Sequence, residues 1–480
     1  MNVRLTLRLL GALLIFLAGT LLFPVPFSLY FGDGATAALL LSALLSAVAG
    51  ATLFFLFRTE NELSLREGFA VVSFSWILFS AFGALPFLFS GTISNPIDAV
   101  FETMSGFTTT GATILTRIEG LPESILLWRA LTHWLGGMGI IVLSLAILPM
   151  LGVGGMQLFK AEVPGPTADR LKPRIQDTAK LLWGVYVLLT MVETLLLMLG
   201  GMNFYEALCH AFATLATGGF STRNASVGAF DSSYIDWIIT LFMFLAGVNF
   251  SLHYHALRGR WRDFWKNEEF RCYLGITLAA TLLLVIANQG RIYGSLIDNL
   301  RYSAFQATSI LTTTGFGTAD YEQWPVIAQY LLAFLMFIGG CAGSTGGGIK
   351  VLRILLLFKH AHVQIFRLIH PRAVRLVKLG NVPVNRDVMQ SILGFFALYI
   401  GIFVIASFIM AGTGLDLVSA GMSVAATLGN IGPGLGSVGP VDNYAHIAPF
   451  GKAVLILCML LGRLEIFTVL VLLFPTFWRK

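Results

Sequence analysis

Four short Thr/Gly segments recur about every hundred residues along this chain. They are Thr108-Thr109-Thr110-Gly111, Leu215-Ala216-Thr217-Gly218, Thr312-Thr313-Thr314-Gly315 and Ala426-Thr427-Leu428-Gly429. The chemistry that suits them is coordination of a dehydrated cation. Consecutive main-chain carbonyls aimed at one axis replace an ion's hydration shell, as in potassium filters. Aiming them requires backbone angles that glycine adopts at little steric cost. Threonine adds a hydroxyl that braces the loop or serves as a ligand. The candidate filter residues are Thr109, Thr110 and Gly111, then Ala216, Thr217 and Gly218, then Thr313, Thr314 and Gly315, then Thr427, Leu428, Gly429 and Asn430. The fourth copy keeps the glycine and loses the threonine run, so only approximate four-fold symmetry is expected. One Thr-Thr-Gly is ordinary turn chemistry; four copies in one topological slot are not.

The elements that must position these segments are membrane helices. The chain has 480 residues, 56% of them hydrophobic and 12% charged. That charge content is about half the roughly 25% of soluble domains. Apolar runs long enough to cross about 30 Å of hydrocarbon occur throughout. Spans are expected near 5–30, 37–57, 66–91, 125–150, 178–202, 234–257, 271–290, 326–358, 387–412 and 448–475. Ten crossings put both termini on one side. That side carries 24 of the 31 Lys and Arg residues, so it is the cytoplasmic one. Arg4 and Arg8 precede the first apolar run, and no small-residue cleavage site follows, so the first span is expected to stay uncleaved. Topology accounts for the net charge of +6; it does not point to nucleic acid.

The expected fold is an all-α polytopic membrane protein. Residues 1–62 hold two extra N-terminal spans. Four span–pore helix–span repeats follow at 63–155, 156–265, 266–375 and 376–480, around one pseudo-four-fold pore. Between the spans of each pair lies an apolar piece too short to cross: Ile97–Phe107, Phe204–Leu215, Ile297–Leu311 and Leu415–Ala426. Such pieces suggest re-entrant helices. Each contains or follows an acid near its start, namely Asp98 and Glu102, Glu206, Asp298 or Asp416. Acids suit helix N-termini, which leaves the negative helix ends facing the membrane middle, where they stabilise a cation.

The eighth span is interrupted by Gly339-Gly340-Cys341-Ala342-Gly343-Ser344-Thr345-Gly346-Gly347-Gly348. Each internal glycine costs a helix ~1 kcal/mol relative to alanine. A phosphate-binding P-loop fails on spacing, because Ile349 separates Gly348 from Lys350 and Val351 replaces the required Ser or Thr. Close helix packing through small residues and an unwound intramembrane loop both remain. Arg463 lies inside the last span, where a charge costs at least ~2.5 kcal/mol and must face a cavity or partner. Glu465, two residues away, does not share its helix face; Glu193, in the fifth span, is a candidate countercharge.

Other constellations carry little chemistry. Cys209, Cys272, Cys341 and Cys458 lack metal or redox spacing. His253 with His255, and His360 with His362, are two apart and point to different helix faces. Asn224-Ala225-Ser226 matches a glycosylation acceptor by chance composition. No paired catalytic groups lie within spans, so no enzyme activity is expected. A secondary transporter for Na⁺ or a small solute is the alternative to a K⁺ pore, but its broken-helix repeats do not require four equivalent Thr/Gly loops. The connection 350–386 carries eight basic residues and no acid before Asp387. It suits anionic lipid or a regulatory subunit.

Six motifs, spread over essentially the whole chain, give it a family likeness. They are Ser105-Gly106-Phe107-Thr108-Thr109-Thr110-Gly111-Ala112; His133-Trp134-Leu135-Gly136-Gly137-Met138-Gly139; Tyr186 to Glu193; Ala246-Gly247-Val248-Asn249-Phe250 with His253-Tyr254; Gly340 to Lys350; and Gly462-Arg463-Leu464-Glu465-Ile466-Phe467. With them the chain resembles the Trk/Ktr/HKT superfamily of cation transporters, and most of all the bacterial TrkH/TrkG potassium-uptake subunits. The two extra N-terminal spans favour that type over the shorter Ktr type. The resemblance implies K⁺ as the transported ion and no further cofactor, since a glycine in each filter loop (Gly111, Gly218, Gly315, Gly429) goes with K⁺ selectivity. It implies that Gly343, Ser344, Thr345, Gly346, Gly347, Gly348 and Lys350 belong to an intramembrane gate loop beneath the filter, and that Arg463 faces the pore. It further implies a homodimer with one pore per subunit, a cytosolic TrkA-type nucleotide-binding regulatory partner, and residence in the inner membrane.

Overall fold

The computed structural model describes residues 2–59, 64–139, 175–373 and 375–479. It is almost entirely helical, with one two-stranded hairpin, β1 (Lys378–Leu379) and β2 (Val382–Pro383), paired antiparallel. The N-terminal pair consists of α1 (Val3–Leu21), its short continuation α2 (Val25–Phe31) and α3 (Thr36–Leu56). Gly11 and Gly50 let α1 and α3 touch backbone to backbone: a Cβ on Gly11 would stand 2.6 Å from the Gly50 oxygen, and one on Gly50 2.8 Å from the Gly11 oxygen. Small residues at such crossings are how helices associate in lipid, where the hydrophobic effect gives no preference for contact.

Each repeat then opens with a long helix. These are α4 (Leu65–Gly83) with its continuation α5 (Leu85–Phe89), then α8 (Ile175–Leu199), α13 (Glu268–Asn288) and α17 (Arg386–Gly412). Outward faces of the last three are apolar and open: Met191 and Leu195, Leu282 and Ile286, Val404 and Phe408 are all more than half exposed. Surfaces of that kind are contact surfaces for lipid or for another protein. A short helix follows in every repeat: α6 (Pro96–Phe107), α9 (Phe204–Leu215), α14 (Leu296–Leu311) and α18 (Leu417–Leu428). These four match the expected re-entrant segments to within two residues.

The closing helices differ from expectation. Only the eighth span was expected to break. In fact α10 (Ser233–Ala246) breaks at Gly247 and continues as α11 (Phe250–Leu257) bent by 103°, and α19 (Pro449–Arg463) bends by 110° into a segment starting at Phe467. The eighth span is divided between α15 (Val326–Leu335) and α16 (Val351–Ile369) by the glycine-rich loop. In the first repeat α7 (Glu123–Trp134) passes into a π-helical turn at Leu135–Gly139, and the rest of that expected span lies outside the described residues. So among the described residues six helices are long and apolar enough to cross alone, or up to eight if each bent pair is one span. The breaks have a common cause. A Cβ on Gly136 would overlap the Phe107 carbonyl, one on Gly462 the Leu428 carbonyl, and one on Gly247 would stand 2.9 Å from Thr312 Cγ2. Each closing helix meets the end of a short helix there, and hydropathy alone cannot register that contact.

Replacing Gly50 with valine is expected to overpack the α1–α3 crossing by ~1–3 kcal/mol. Thermal unfolding of the purified chain in detergent should show a lowered midpoint, and an unchanged midpoint would mean the two helices do not touch there.

Candidate functional site: a ring of four helix ends

The four short helices start alike. The side chains of Asn95, Asn203, Ser295 and Asp416 accept the N–H of Ile97, Glu206, Asp298 and Ser419, which satisfies donors that a helix start leaves open. They also end alike. The N–H groups of Thr110, Gly218, Thr314 and Ile431 bond back to Ser105, Ala213, Ser309 and Ala426 at 2.8–2.9 Å, the pattern of a Schellman cap. Just before them, Thr109, Thr217, Thr313 and Asn430 hold left-handed backbones with φ of 52°, 54°, 62° and 54°. For asparagine this is tolerated. For a β-branched threonine it is an outlier that costs ~1–3 kcal/mol and persists only where its surroundings impose it.

Two residues beyond each strained position stands a left-handed glycine: Gly111, Gly219, Gly315 and Gly432, with φ of 82°, 81°, 78° and 99°. These glycines close a ring. A Cβ on Gly111 would lie within 3.0 Å of the Gly218 oxygen, on Gly219 of the Thr314 oxygen, on Gly315 of the Ile431 oxygen, and on Gly432 of the Thr110 oxygen. Each loop thus rests its glycine on a carbonyl of the next, in the cyclic order one, two, three, four, one.

The ring corrects the sequence register in two loops. Gly218 and Gly429 were expected to supply the positive φ; neither does. Gly218 is one residue too early, and Gly219 takes the place. In the fourth loop the helix runs on through Thr427 and Leu428, Gly429 is its right-handed cap, and Asn430 and Gly432 occupy the two left-handed positions. Leucine favours helix, so the segment that resembles Thr-Thr-Gly on paper belongs to the helix in space.

Hydroxyls and amides brace the loops. Thr108 bonds Thr110, and Thr312 bonds Thr314, each at 2.8 Å. Asn430 Nδ2 donates to Thr110 Oγ1 and to the Met459 carbonyl, each at 3.0 Å, which ties loop four to loop one. The Nδ1 of His133 meets the Gly106 carbonyl at 2.8 Å, and its Nε2 takes the Phe220 N–H at 3.2 Å, which ties loop one to loop two.

Sequence reasoning missed one further set. Five residues before the end of the first three short helices stands a buried polar residue that grips the chain returning outward. Glu102 accepts from the Thr113 hydroxyl and the Ile114 N–H at 2.9 Å each. His210 bonds the Ser221 hydroxyl at 3.0 Å. The Gln306 amide meets the main chain of Thr318 and Ala319. Their shared distance from the helix ends was the signal in the sequence. Glu102 also pairs with the buried Arg129 at 2.6 Å, and Arg129 donates to the Ser221 carbonyl at 3.0 Å and lies over the Phe220 ring.

The glycine-rich loop lies against the ring from the opposite side to the returning chains. The Gly347 N–H donates to the Thr313 hydroxyl at 2.7 Å, and the Thr345 hydroxyl to the Leu215 carbonyl at 2.9 Å. Gly347 passes the Gly429 carbonyl with no room for a side chain, and a Cβ on Gly346 would stand 3.0 Å from the Thr312 carbonyl oxygen. Gly343 accepts from the Phe250 N–H at 3.0 Å. Ser344 bonds the Cys341 carbonyl, and Lys350 reaches back to the Gly346 carbonyl. Gly348 and Lys350 both have positive φ. The loop is therefore unwound backbone, buried from Thr345 to Ile349 and open at Gly343; a membrane interior tolerates such backbone where it is buried in protein or lines a water-filled cavity.

Arg463 is spent on this loop. It donates to the Thr345 carbonyl at 2.8 Å and to the carbonyls of Gly136 and Gly137, and so joins the first, third and fourth repeats. Glu465 pairs instead with Arg353, as its spacing from Arg463 implied. Glu193 is fully buried near Thr214 of α9, and it is not among the acceptors of these Arg463 bonds. On the other side of the ring, a cavity of about 80 Å³ is lined by all four left-handed glycines, with Asp442 and Tyr444 at its edge. It is the ring's mouth.

Fold and ring together define a polytopic membrane protein that gathers four helix ends into one closed ring. Residues 36–480 match the family model TrkH, a cation transport protein. The chain belongs to that family. Two relatives are the Trk system potassium uptake proteins TrkH of Salmonella typhimurium and of Escherichia coli, each 46% identical over the full length of both chains. The TrkG protein of Escherichia coli is 37% identical over 87% of each chain. A crystal structure of the potassium transporter TrkH from Vibrio parahaemolyticus superposes with a TM-score of 0.90 at 41% identity, covering 100% of both chains.

Truncating Glu102 to alanine is expected to leave Arg129 charged and buried without its carboxylate. Breaking a buried pair costs ~3–5 kcal/mol, to be read as a large drop in thermal midpoint. A drop no larger than that of an exposed Glu→Ala change would show that the pair does not hold the first loop.

Proposed function

We propose that this chain is the pore-forming subunit of a potassium uptake system. The observation that carries the reading is the closed ring of four carbonyl-bearing loops at the negative ends of four helices. A cation on the axis meets main-chain oxygens and four favourable dipoles at once. The relatives' printed names, which are those of potassium uptake proteins at 42–46% identity, support K⁺ as the ion. The pore is built from the repeats 63–155, 156–265, 266–375 and 376–480, with 1–62 as an added pair of spans.

Ion coordination falls to the carbonyls of Thr109, Thr110, Thr217, Gly218, Thr313, Thr314, Asn430 and Ile431, with Gly111, Gly219, Gly315 and Gly432 closing the ring. The loop from Gly343 to Lys350 is the gate, and Arg463 is its latch: a fixed positive charge that holds Thr345 beneath the ring also disfavours a cation there. The protein sits in the inner membrane with both termini cytoplasmic, as the Lys and Arg bias indicates. It works as a homodimer with a cytosolic TrkA-type nucleotide-binding partner, which the basic connection 350–386 suits.

The test is Rb⁺ uptake into liposomes holding the purified chain, with K⁺, Na⁺ and Li⁺ as competitors. Block by K⁺ alone supports the reading; solute-dependent uptake without K⁺ competition would sink it. Serine at Gly432 or Gly219 is expected to reduce K⁺/Na⁺ discrimination at least as much as serine at Gly315, by about tenfold or ~1.4 kcal/mol. Unaltered selectivity in all three would remove these glycines from the ion path. Arg463→Ala and deletion of residues 343–347 should each raise uptake in the absence of any partner, and wild-type rates in both would rule out a latch.

A further inference from the structure

Where the second repeat leaves the membrane, the chain forms an apolar groove with a basic rim. After the break at Gly247, α11 turns by 103° and is followed by α12 (Arg262–Lys266). Between these segments and α8 lies a cavity of about 390 Å³, lined by Val185, Leu188 and Leu189 on one wall and by Ala256, Phe264 and Trp265 on the other. Its rim is the run Arg258-Gly259-Arg260-Trp261-Arg262-Asp263-Phe264-Trp265-Lys266, with four basic residues and one acid. The acid is already engaged, since Asp263 holds Arg260 at 2.8 Å and His255 at 3.0 Å. Arg258, Arg262 and Lys266 are exposed, and Trp261 and Trp265 are 65% and 64% exposed.

Two open tryptophans beside an apolar hollow make a poor surface for water. They suit the headgroup level of a bilayer, where amphipathic rings anchor. Basic residues at that level attract anionic headgroups, and only a molecule that is both anionic and oily uses rim and hollow together. We propose that this groove binds one anionic glycerophospholipid, with its phosphate on Arg258, Arg262 and Lys266 and one acyl chain in the cavity. The site adjoins the glycine-rich loop: α11 begins with Phe250, whose N–H holds the Gly343 carbonyl, and the Gly247 carbonyl accepts the Cys341 N–H at 2.8 Å.

The experiment is tryptophan quenching of the full purified chain in mild detergent by brominated phosphatidylglycerol. Brominated phosphatidylcholine serves as the zwitterionic control, and a Trp261→Phe/Trp265→Phe chain isolates the signal of the groove. Saturable quenching of that signal by the anionic lipid is expected. The Arg258→Gln/Arg262→Gln/Lys266→Gln chain should need on the order of 100-fold more lipid, at about fivefold per basic residue. Ala256→Phe, which fills the hollow and keeps every charge, should abolish saturable quenching. Equal curves for the two lipids, or no shift in the triple variant, would overturn the proposal in favour of unselective annular lipid. Quenching that survives Ala256→Phe would overturn it by showing a headgroup bound without a seated chain. No saturable quenching in the unmodified chain would likewise overturn it.

Discussion

Four glycines resting on four carbonyls are the contact on which the rest of this structure depends. Gly111, Gly219, Gly315 and Gly432 each occupy space that a single methyl group would take from the neighbouring loop. Main chain meets main chain there, so loop geometry must be imposed from outside the ring. The Schellman caps set the direction of each loop, and the strained Thr109, Thr217 and Thr313 show that the surroundings override local preference. His133 and Asn430 then lock neighbouring loops in order. A polar residue five positions before the end of three of the short helices holds the outward return.

Charge is placed with the same economy. Asp98, Glu206 and Asp298 lie in the first turns of their short helices and favour the helix dipoles, while Glu102 sits in the middle of its helix; acids in and around these helices also pair with basic residues. Glu102 takes Arg129, Glu206 takes Arg223, and Asp98 takes Lys452 at 2.7 Å; Arg301 lies 3.6 Å from Asp236 and 3.7 Å from Asp298. Unpaired, those cations would oppose an approaching positive ion across a low-dielectric wall. Paired, they tie the short helices to neighbouring segments.

Each closing helix breaks, or changes its winding, at the depth of the ring. The ring occupies the axis, so a closing helix reaches it only through glycine, and the chain beyond must turn aside. In the third repeat the turn has grown into the loop Gly339–Gly348, which touches short-helix ends of the second, third and fourth repeats. Arg463 adds the first repeat through Gly136 and Gly137. One guanidinium therefore spans three of the four repeats, which explains how a charge within the last span is accommodated.

Composition and hydropathy by themselves determined that this is a helical membrane protein, because apolar length and basic asymmetry are local properties of the chain. The four short helices were legible for the same reason: their caps, acids and apolar runs are all contiguous. Arg463, the glycine-rich loop and all four Thr/Gly segments could also be picked out by residue type, two of them in shifted register. What only the tertiary structure decided was register and partnership. Gly219 and Gly432, rather than Gly218 and Gly429, close the ring, because the end of a helix is set by what it packs on and not by a matching tripeptide. The breaks at Gly247 and Gly462 appeared in the sequence as ordinary glycines in apolar runs. Their meaning lies in carbonyls and side chains of distant residues, Thr312 and Leu428, and separations of that length are closed only by folding.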